Sequence, residues 1–235
     1  MIINGECLEE MKKLPEKSID LILCDLPYGT TQNKWDCVID LKLLWEQYNR
    51  IIKDDGVIVL TASQPFTSNL IMSNIKKFKY EWIWDKRLSS GHLNAKIQPM
   101  KRHESIVVFT NGKINYNPQM RKGKMRNDKC NSNSTNYGKQ KPIERNSDLY
   151  YPTTIIDISN ANRRGKKHPT QKPVALMEYL IKTYTNEGDL VLDNCMGSGT
   201  TGVACKSLNR NFIGIELNEK YFNIAKKRIE DSPKP

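Results

Sequence analysis

Two stretches of this chain place an acid where an apolar run gives way to a turn. In "LILCDLPYGT", residues 21–30, the run ends at Asp25 and is followed by Leu26, Pro27, Tyr28 and Gly29. A strand end needs only a turn, which Pro or Gly would supply. The carboxylate beside an aromatic ring is additional, and it is a group that can do chemistry. In "LDNCMGSGTTG", residues 192–202, the acid is Asp193. Gly197 and Gly199 then allow a tight turn and close backbone approach, and Thr200 and Thr201 lead into a helix whose free N–H groups can receive an anion. No Lys follows the Gly-Ser-Gly, which argues against a phosphate-binding P-loop, and the spacing is not GxGxxG. About twenty residues on, "FIGIELN" ends in Glu216, an acid that can accept from both hydroxyls of a ribose. Together these residues read as a nucleoside cofactor site.

The elements that must position these groups follow from apolar patterning. Runs bounded by turn residues at 19–25, 56–62, 105–110, 188–194 and 211–217 read as buried strands. Between several of them, at 41–52, 174–184, 202–208 and 219–229, apolar residues return every three or four positions and predict helices. Strand alternating with helix implies an α/β fold: a doubly wound, mainly parallel sheet with helices on both faces. In such a sheet ligands settle beyond the carboxyl ends of the strands, so both acid-bearing turns are expected to face one cavity. Trp82 and Trp84 alternate along a strand and are assigned to the core.

The stretch from 112 to 167 breaks this rhythm. It is rich in Asn, Ser, Lys and Arg, and residues 113–145 carry nine Lys or Arg against two acids. It reads as an insertion, with the rest of the chain, 1–111 and 166–235, as one domain. A net charge of +11 and a pI near 9.3 suggest a polyanionic partner, because neutralising phosphates releases condensed counterions. A generally basic surface is the plain alternative. Six cysteines without CxxC pairing or zinc-type spacing with His read as free thiols in a reducing compartment, and no metal site is expected. His103 and Glu104 invite a metal reading, but two adjacent residues on a strand point opposite ways, which argues against it. Without an apolar membrane span or a basic-then-apolar leader, the chain is expected in the cytoplasm, with no membrane partner.

These motifs bear a resemblance to a known family. Asp25-Leu26-Pro27-Tyr28 resembles the Asp-Pro-Pro-Tyr motif of S-adenosylmethionine-dependent DNA methyltransferases acting on exocyclic amines, and Asp193 to Gly199 resembles their Asp-Pro-Phe-x-Gly-x-Gly loop. "HPTQKP", residues 168–173, and "NGECLEEMKKLP", residues 4–15, are also typical, and residues 81–109 are similar to phage and prophage adenine methylases. The catalytic motif precedes the cofactor loop with the basic stretch between them, the permuted order of the β class. The resemblance implies a Rossmann-like methyltransferase fold and S-adenosylmethionine as cofactor. It assigns Glu6, Cys7, Asp193, Asn194, Cys195, Gly197, Ser198, Gly199, Thr200, Glu216, Leu217 and Asn218 to that cofactor, and it places His103 and Glu104 in the scaffold. Lys172 is set toward the cofactor carboxylate, with a solvated Lys ahead of Pro173 at a helix start as the alternative. Three positions depart from the pattern: Leu26 replaces the first Pro, Asn194 and Cys195 replace Pro-Phe, and Glu6 replaces the commoner Asp.

The chemistry of the first motif can then be stated. An exocyclic amine conjugated to its ring is a poor nucleophile, and acceptors for its two hydrogens favour a pyramidal nitrogen. Asp25 supplies one acceptor. The Leu26 carbonyl supplies the other, held outward because Pro27 restricts the residue before it. Tyr28 can stack on a base swung out of the duplex. The expected activity is methylation of adenine N6 in double-stranded DNA. Cytosine-N4 is the closest rival, disfavoured because many cytosine-N4 enzymes carry Ser at the position of Asp25. A Rossmann oxidoreductase lacks its GxGxxG here, and a non-catalytic nucleic-acid-binding module would leave both motifs idle. The insertion, 112–165, is assigned to target recognition as a loop that orders on DNA, with Arg121, Lys122, Lys124, Arg126, Arg163 and Arg164 as DNA contacts. A homodimer and a cognate restriction endonuclease remain open as partners.

Overall fold

The computed structural model describes residues 1–29, 36–130, 133–134, 138–139, 143–160 and 171–233. Along the chain these form β1 (Ile2–Asn4), α1 (Cys7–Lys12), β2 (Ile19–Cys24), α2 (Leu41–Ile51), β3 (Ile52–Ala62), α3 (Phe66–Ser73), β4 (Phe78–Ser90) and β5 (Lys101–Thr110). There follow β6 (Arg121–Cys130), β7 (Asn133–Ser134), β8 (Gly138–Lys139), β9 (Ile143–Tyr150), β10 (Ile155–Asp157), α4 (Val174–Tyr184), β11 (Leu190–Asp193), α5 (Thr200–Ser207), β12 (Asn211–Glu216) and α6 (Glu219–Asp231). They divide into two compact units, Met1–Asn117 with Thr154–Pro235, and Pro118–Thr153.

The first unit is built on an eight-stranded sheet in the order β1-β12-β11-β2-β3-β5-β4-β10. β5 runs antiparallel to both its neighbours, and every other pairing is parallel. From β2 the chain builds outward through β3; from β11 it builds the other way through β12. The strand order therefore reverses between β2 and β11, and such a switch point opens a crevice at the carboxyl edge of the sheet. Asp25 follows β2 and Asp193 ends β11, so both acids sit at that opening.

Side-chain alternation explains why the strands read as continuous apolar runs. Ile22, Cys24, Ile58 and Leu60 pack on one face with Leu44, Tyr48 and Ile51 of α2. Leu21, Leu23, Val57 and Val59 pack on the other with Leu176, Leu180 and Ile181 of α4. A strand covered on both faces has no polar side to show. Trp82 and Trp84 are buried in the second of these clusters, as the alternation suggested. α2 begins where Asp40 accepts the N–H groups of Lys42 and Leu43, and its buried stripe, Leu44, Trp45, Tyr48 and Ile51, follows helical spacing. Each such side chain contributes about 1.5–3 kcal/mol by leaving water.

The second unit corrects one expectation. Residues expected to form a loop contain β6 and β9, which pair antiparallel with Arg121 opposite Tyr150 and Lys129 opposite Glu144. Nothing in "RKGKMRNDKC" alternates, because a two-stranded ribbon has no buried face to record. Backbone pairing and cross-strand contacts carry it instead. Lys129 and Glu144 meet at 2.5 Å, and the Arg126 guanidinium lies 3.9 Å from the centre of the Tyr150 ring. The compact unit spans Pro118–Thr153, and β10 pairs with β4 as an edge of the main sheet.

Candidate active site

A cavity of about 880 Å3 opens at the switch point, and both motifs line it. The residues after β2 form one wall. Asp25 Oδ2 accepts from Lys172 Nζ at 2.7 Å. Asp25 Oδ1 accepts from the Tyr28 hydroxyl at 2.8 Å and from the Thr61 hydroxyl at the end of β3. The Tyr28 ring stacks on Phe66 with centroids 5.4 Å apart, which holds the aromatic at the rim of the cavity. Burial, and after it the negative charges of Asp25 and Glu104, keep the Tyr28 phenol well above its usual pKa, so it stays a donor. The Leu26 side chain is buried, so its backbone is anchored from behind while Pro27 sets the exit of the chain.

Behind this wall lies a row of charges. Lys172 Nζ is 3.3 Å from Glu104 Oε2, and Lys86 Nζ is 3.1 Å from Glu104 Oε1. Burial alone would lower the pKa of Lys172; the carboxylates of Asp25 and Glu104 outweigh it and hold the ammonium above the ordinary lysine value. Lys172 was set toward a cofactor carboxylate on sequence grounds, and here its ammonium is engaged by Asp25 and Glu104. Glu104 was assigned to the scaffold. Its carboxylate instead lines the cavity. The available signal was an acid just ahead of the apolar run of β5, but its partners lie on other elements.

The opposite wall is the glycine loop between β11 and α5. Asp193 accepts from the Cys195 N–H at 3.2 Å and the Thr201 hydroxyl at 2.6 Å. Burial raises its pKa to about 7, and the Thr201, Cys195 and Cys24 donors oppose the shift. Asn194 Oδ1 accepts from the buried Tyr48 hydroxyl at 2.6 Å, so the side chain replacing Pro is tied to α2. Glu216 Oε2 accepts from the Gly197 N–H at 2.9 Å, and its Oε1 from the Asn218 N–H at 2.8 Å. One carboxylate thus fixes the loop to the end of β12. Gly197 lines the cavity and takes φ +52°, a conformation that strains any L side chain, and a Cβ there would meet nothing within 4 Å. Gly199, at φ +77°, is enclosed instead: a Cβ would stand 2.9 Å from that of Ala225 on α6. It serves helix packing and does not line the cavity.

Glu6, Cys7, Asn194, Cys195, Ser198, Thr200, Leu217 and Asn218 all line the same space. Cys24 lies behind them, pushed up to about 12 chiefly by burial, so its thiol is an uncharged neighbour of the pocket. Arg228 of α6 donates to the Ser198 carbonyl and to Ser198 Oγ, bracing the loop from outside. Sequence reasoning missed Arg228, Thr61 and Asp36, whose Oδ1 accepts from the Gly29 N–H at 2.9 Å. Arg121, Lys122, Lys124 and Arg126 lie on β6 in the second unit, while Arg163, Arg164 and residues 168–170 fall outside the described residues.

The cleft at the switch point thus has a glycine loop on one wall and an Asp-Leu-Pro-Tyr turn on the other, the arrangement of an α/β enzyme with its site at the carboxyl edge of the sheet. The chain belongs to the N6/N4 methyltransferase family of DNA methylases, whose model matches residues 19–227. It is 41% identical to the Type II methyltransferase M2.DpnII of Streptococcus pneumoniae, over 98% of this chain and 89% of that protein. It is 29% identical to the DNA adenine methyltransferase YhdJ of Escherichia coli K12, over 97% of this chain and 82% of that one. The crystal structure of an M1.HpyAVI complex with S-adenosylmethionine superposes with a TM-score of 0.68 at 29% identity, covering 97% of this chain and 98% of the other.

Proposed function

We propose that this chain transfers a methyl group from S-adenosylmethionine to the exocyclic N6 of an adenine swung out of duplex DNA. The observation that carries the reading is that Asp25 and residues Asp193–Ser198 of the glycine loop line one cavity. Its volume is in the range of small-molecule and cofactor sites, and Gly197 on its wall keeps the positive φ that the tight turn there requires. S-adenosylmethionine supplies an electrophilic methyl group when bound. Glu216, Asp193, Asn194 and the 195–198 backbone would hold it.

The remaining work belongs to the other wall. Asp25 accepts one amine hydrogen, and the Leu26 carbonyl accepts the second, which localises the nitrogen lone pair. Asp25 is held by Lys172, Tyr28 and Thr61, so its orientation is set before a base arrives. Most of the rate then comes from positioning. Adenine is favoured over cytosine by Asp25 itself and by the likeness to YhdJ, named for adenine.

The ribbon of Pro118–Thr153 is assigned to target recognition, with Arg121, Lys122 and Lys124 on phosphates. Support comes from its charge and from the exposure of all three. Arg126 is given a different task, because its guanidinium is spent on Tyr150 and the Leu149 carbonyl. A restriction-modification setting with a cognate endonuclease is supported by the Type II names of relatives such as M2.DpnII. Among the described residues no helix is long and apolar enough to cross a membrane; a cytoplasmic location is part of the same proposal. The deciding experiment is modification-sensitive sequencing of DNA from cells expressing the chain. N6-methyladenine at a fixed sequence is expected. N4-methylcytosine would replace the base assignment, and unmodified DNA would overturn the function.

A further inference from the structure

The connection from β4 to β5 carries the most exposed large apolar residues among the described ones. Leu93 and Ile97 are 89% and 82% exposed, and Leu88 and Met100 are exposed beside them. The segment is ordered by its own backbone. The N–H groups of Asn94 and Ala95 bond to the carbonyls of Gly91 and His92, and those of Ile97 and Gln98 bond to that of Asn94. Two apolar side chains are therefore presented to water by a built turn, which is costly unless something covers them.

The placement and charge of the turn say what covers it. β4 runs parallel to β3 through the intervening β5, so this connection leaves the sheet at the edge where Asp25 sits. Its root is joined to the site: Lys101 donates to Ser63 just beyond β3, and Glu104 reaches Asp25 through Lys172. Residues 87–103 include Arg87, Lys96, Lys101 and Arg102 and no Asp or Glu. Arg87 is paired with Asp157 and Arg102 with Asp85, which leaves Lys96 and Lys101 as the cations that flank the tip without a carboxylate partner among the described residues. An apolar tip flanked by two lysines at the edge of the sheet where Asp25 sits suits a polyanion whose interior is apolar: the base stack of duplex DNA.

We infer that Leu93 and Ile97 form a wedge that enters the base stack beside the target nucleotide and offsets the cost of swinging it out. The inference rests on the functional reading above, since it concerns the same DNA. Once a base leaves, its neighbours lose stacking contacts, and an apolar side chain at that step replaces part of them.

The test uses the full chain and the Leu93→Ala, Ile97→Ala double variant, whose changes lie on the surface. The probe is a duplex bearing the sequence found by modification-sensitive sequencing, with 2-aminopurine at the target adenine to report unstacking, and a second duplex with an abasic site opposite an unaltered target adenine. Wild-type protein should raise 2-aminopurine fluorescence, and the variant should raise it far less. Methylation of the fully paired duplex should fall about tenfold or more in the variant, the share of the unstacking cost the wedge carries. On the abasic duplex, where the adenine is already loosened, the two proteins should match, with equal cofactor affinity by calorimetry. If the wild type forms N6-methyladenine and the variant equals it on the paired duplex with full fluorescence, the wedge is overturned and the function stands. If the variant instead abolishes a dimer seen by sedimentation while methylating normally, the tip is a contact between copies and the wedge is overturned. If the wild type modifies no adenine, both fall.

Discussion

Lys172 Nζ lies between two carboxylates, 2.7 Å from Asp25 Oδ2 and 3.3 Å from Glu104 Oε2. A residue at the start of α4 thereby sets the orientation of the residue after β2, through a contact that is almost fully buried on the lysine side. Removing the ammonium leaves two carboxylates facing one another. Lys172→Met is expected to lower stability by about 3 kcal/mol, read by urea unfolding. Methyl transfer should fall about 100-fold through misplacement of Asp25. Because the folded pKa of Lys172 is raised, its contribution is fully present below 10.5 and is lost as pH rises through the folded value. Stabilities of wild type and variant should therefore converge only in strongly alkaline solution.

Asp193 gives a pH signature of the same sign at lower pH, from burial of its own carboxyl. Its pKa rises from 3.8 to about 7 on folding because it is buried. Between those values the folded state holds a proton that the unfolded state has released, so the contribution of Asp193 is fully present below 3.8 and lost as pH rises toward 7. Asp193→Asn keeps a partner for Thr201 and does not titrate. The stability difference between wild type and this variant, from urea unfolding at a series of pH values, should move against the wild type across that window and flatten above it.

The two walls of the cavity should separate in binding experiments. Asp25→Ala is expected to abolish methyl transfer while S-adenosylmethionine affinity by calorimetry stays close to wild type, since Asp25 addresses the target amine. Glu216→Ala should do the reverse first: it frees the Gly197 and Asn218 N–H groups and should weaken cofactor affinity about tenfold, one hydrogen-bonded group to a charge being worth about 1.5 kcal/mol or more. Unchanged affinity in Glu216→Ala would move the cofactor elsewhere.

In the ribbon, a variant with Arg121, Lys122 and Lys124 changed to Ala should bind DNA more weakly whatever its sequence. The slope of log affinity against log salt should flatten by roughly 0.9 for each phosphate contact removed. Arg126→Ala should instead loosen the pairing of β6 with β9, because the lost partner is Tyr150, and its mark should be faster amide exchange in the ribbon. Equal salt slopes for wild type and the triple variant would make the stretch a solvated ribbon.

Much of the fold is written locally. Buried parallel strands show as apolar runs, and α2 and α4 show as helical stripes, because both patterns record burial within a few residues of one another. The types of Asp25, Tyr28, Asp193 and Glu216, each at a strand end, likewise announce chemistry without any knowledge of the partners. What no local pattern holds is which side chains meet. Glu104 reaches Lys172 only because β5 lies antiparallel beside β3, and Thr61 reaches Asp25 only because β2 and β3 are parallel neighbours. Gly199 belongs to α6 packing and Gly197 to the cavity, a division set by what surrounds each glycine and not by the motif. The β6–β9 ribbon is absent from any hydrophobic pattern because it buries no face. Periodicity therefore determined the layers and the candidate chemistry by itself, and strand register and switch-point topology decided the site, since ion pairs and hydrogen bonds depend on distances that sequence separation does not encode.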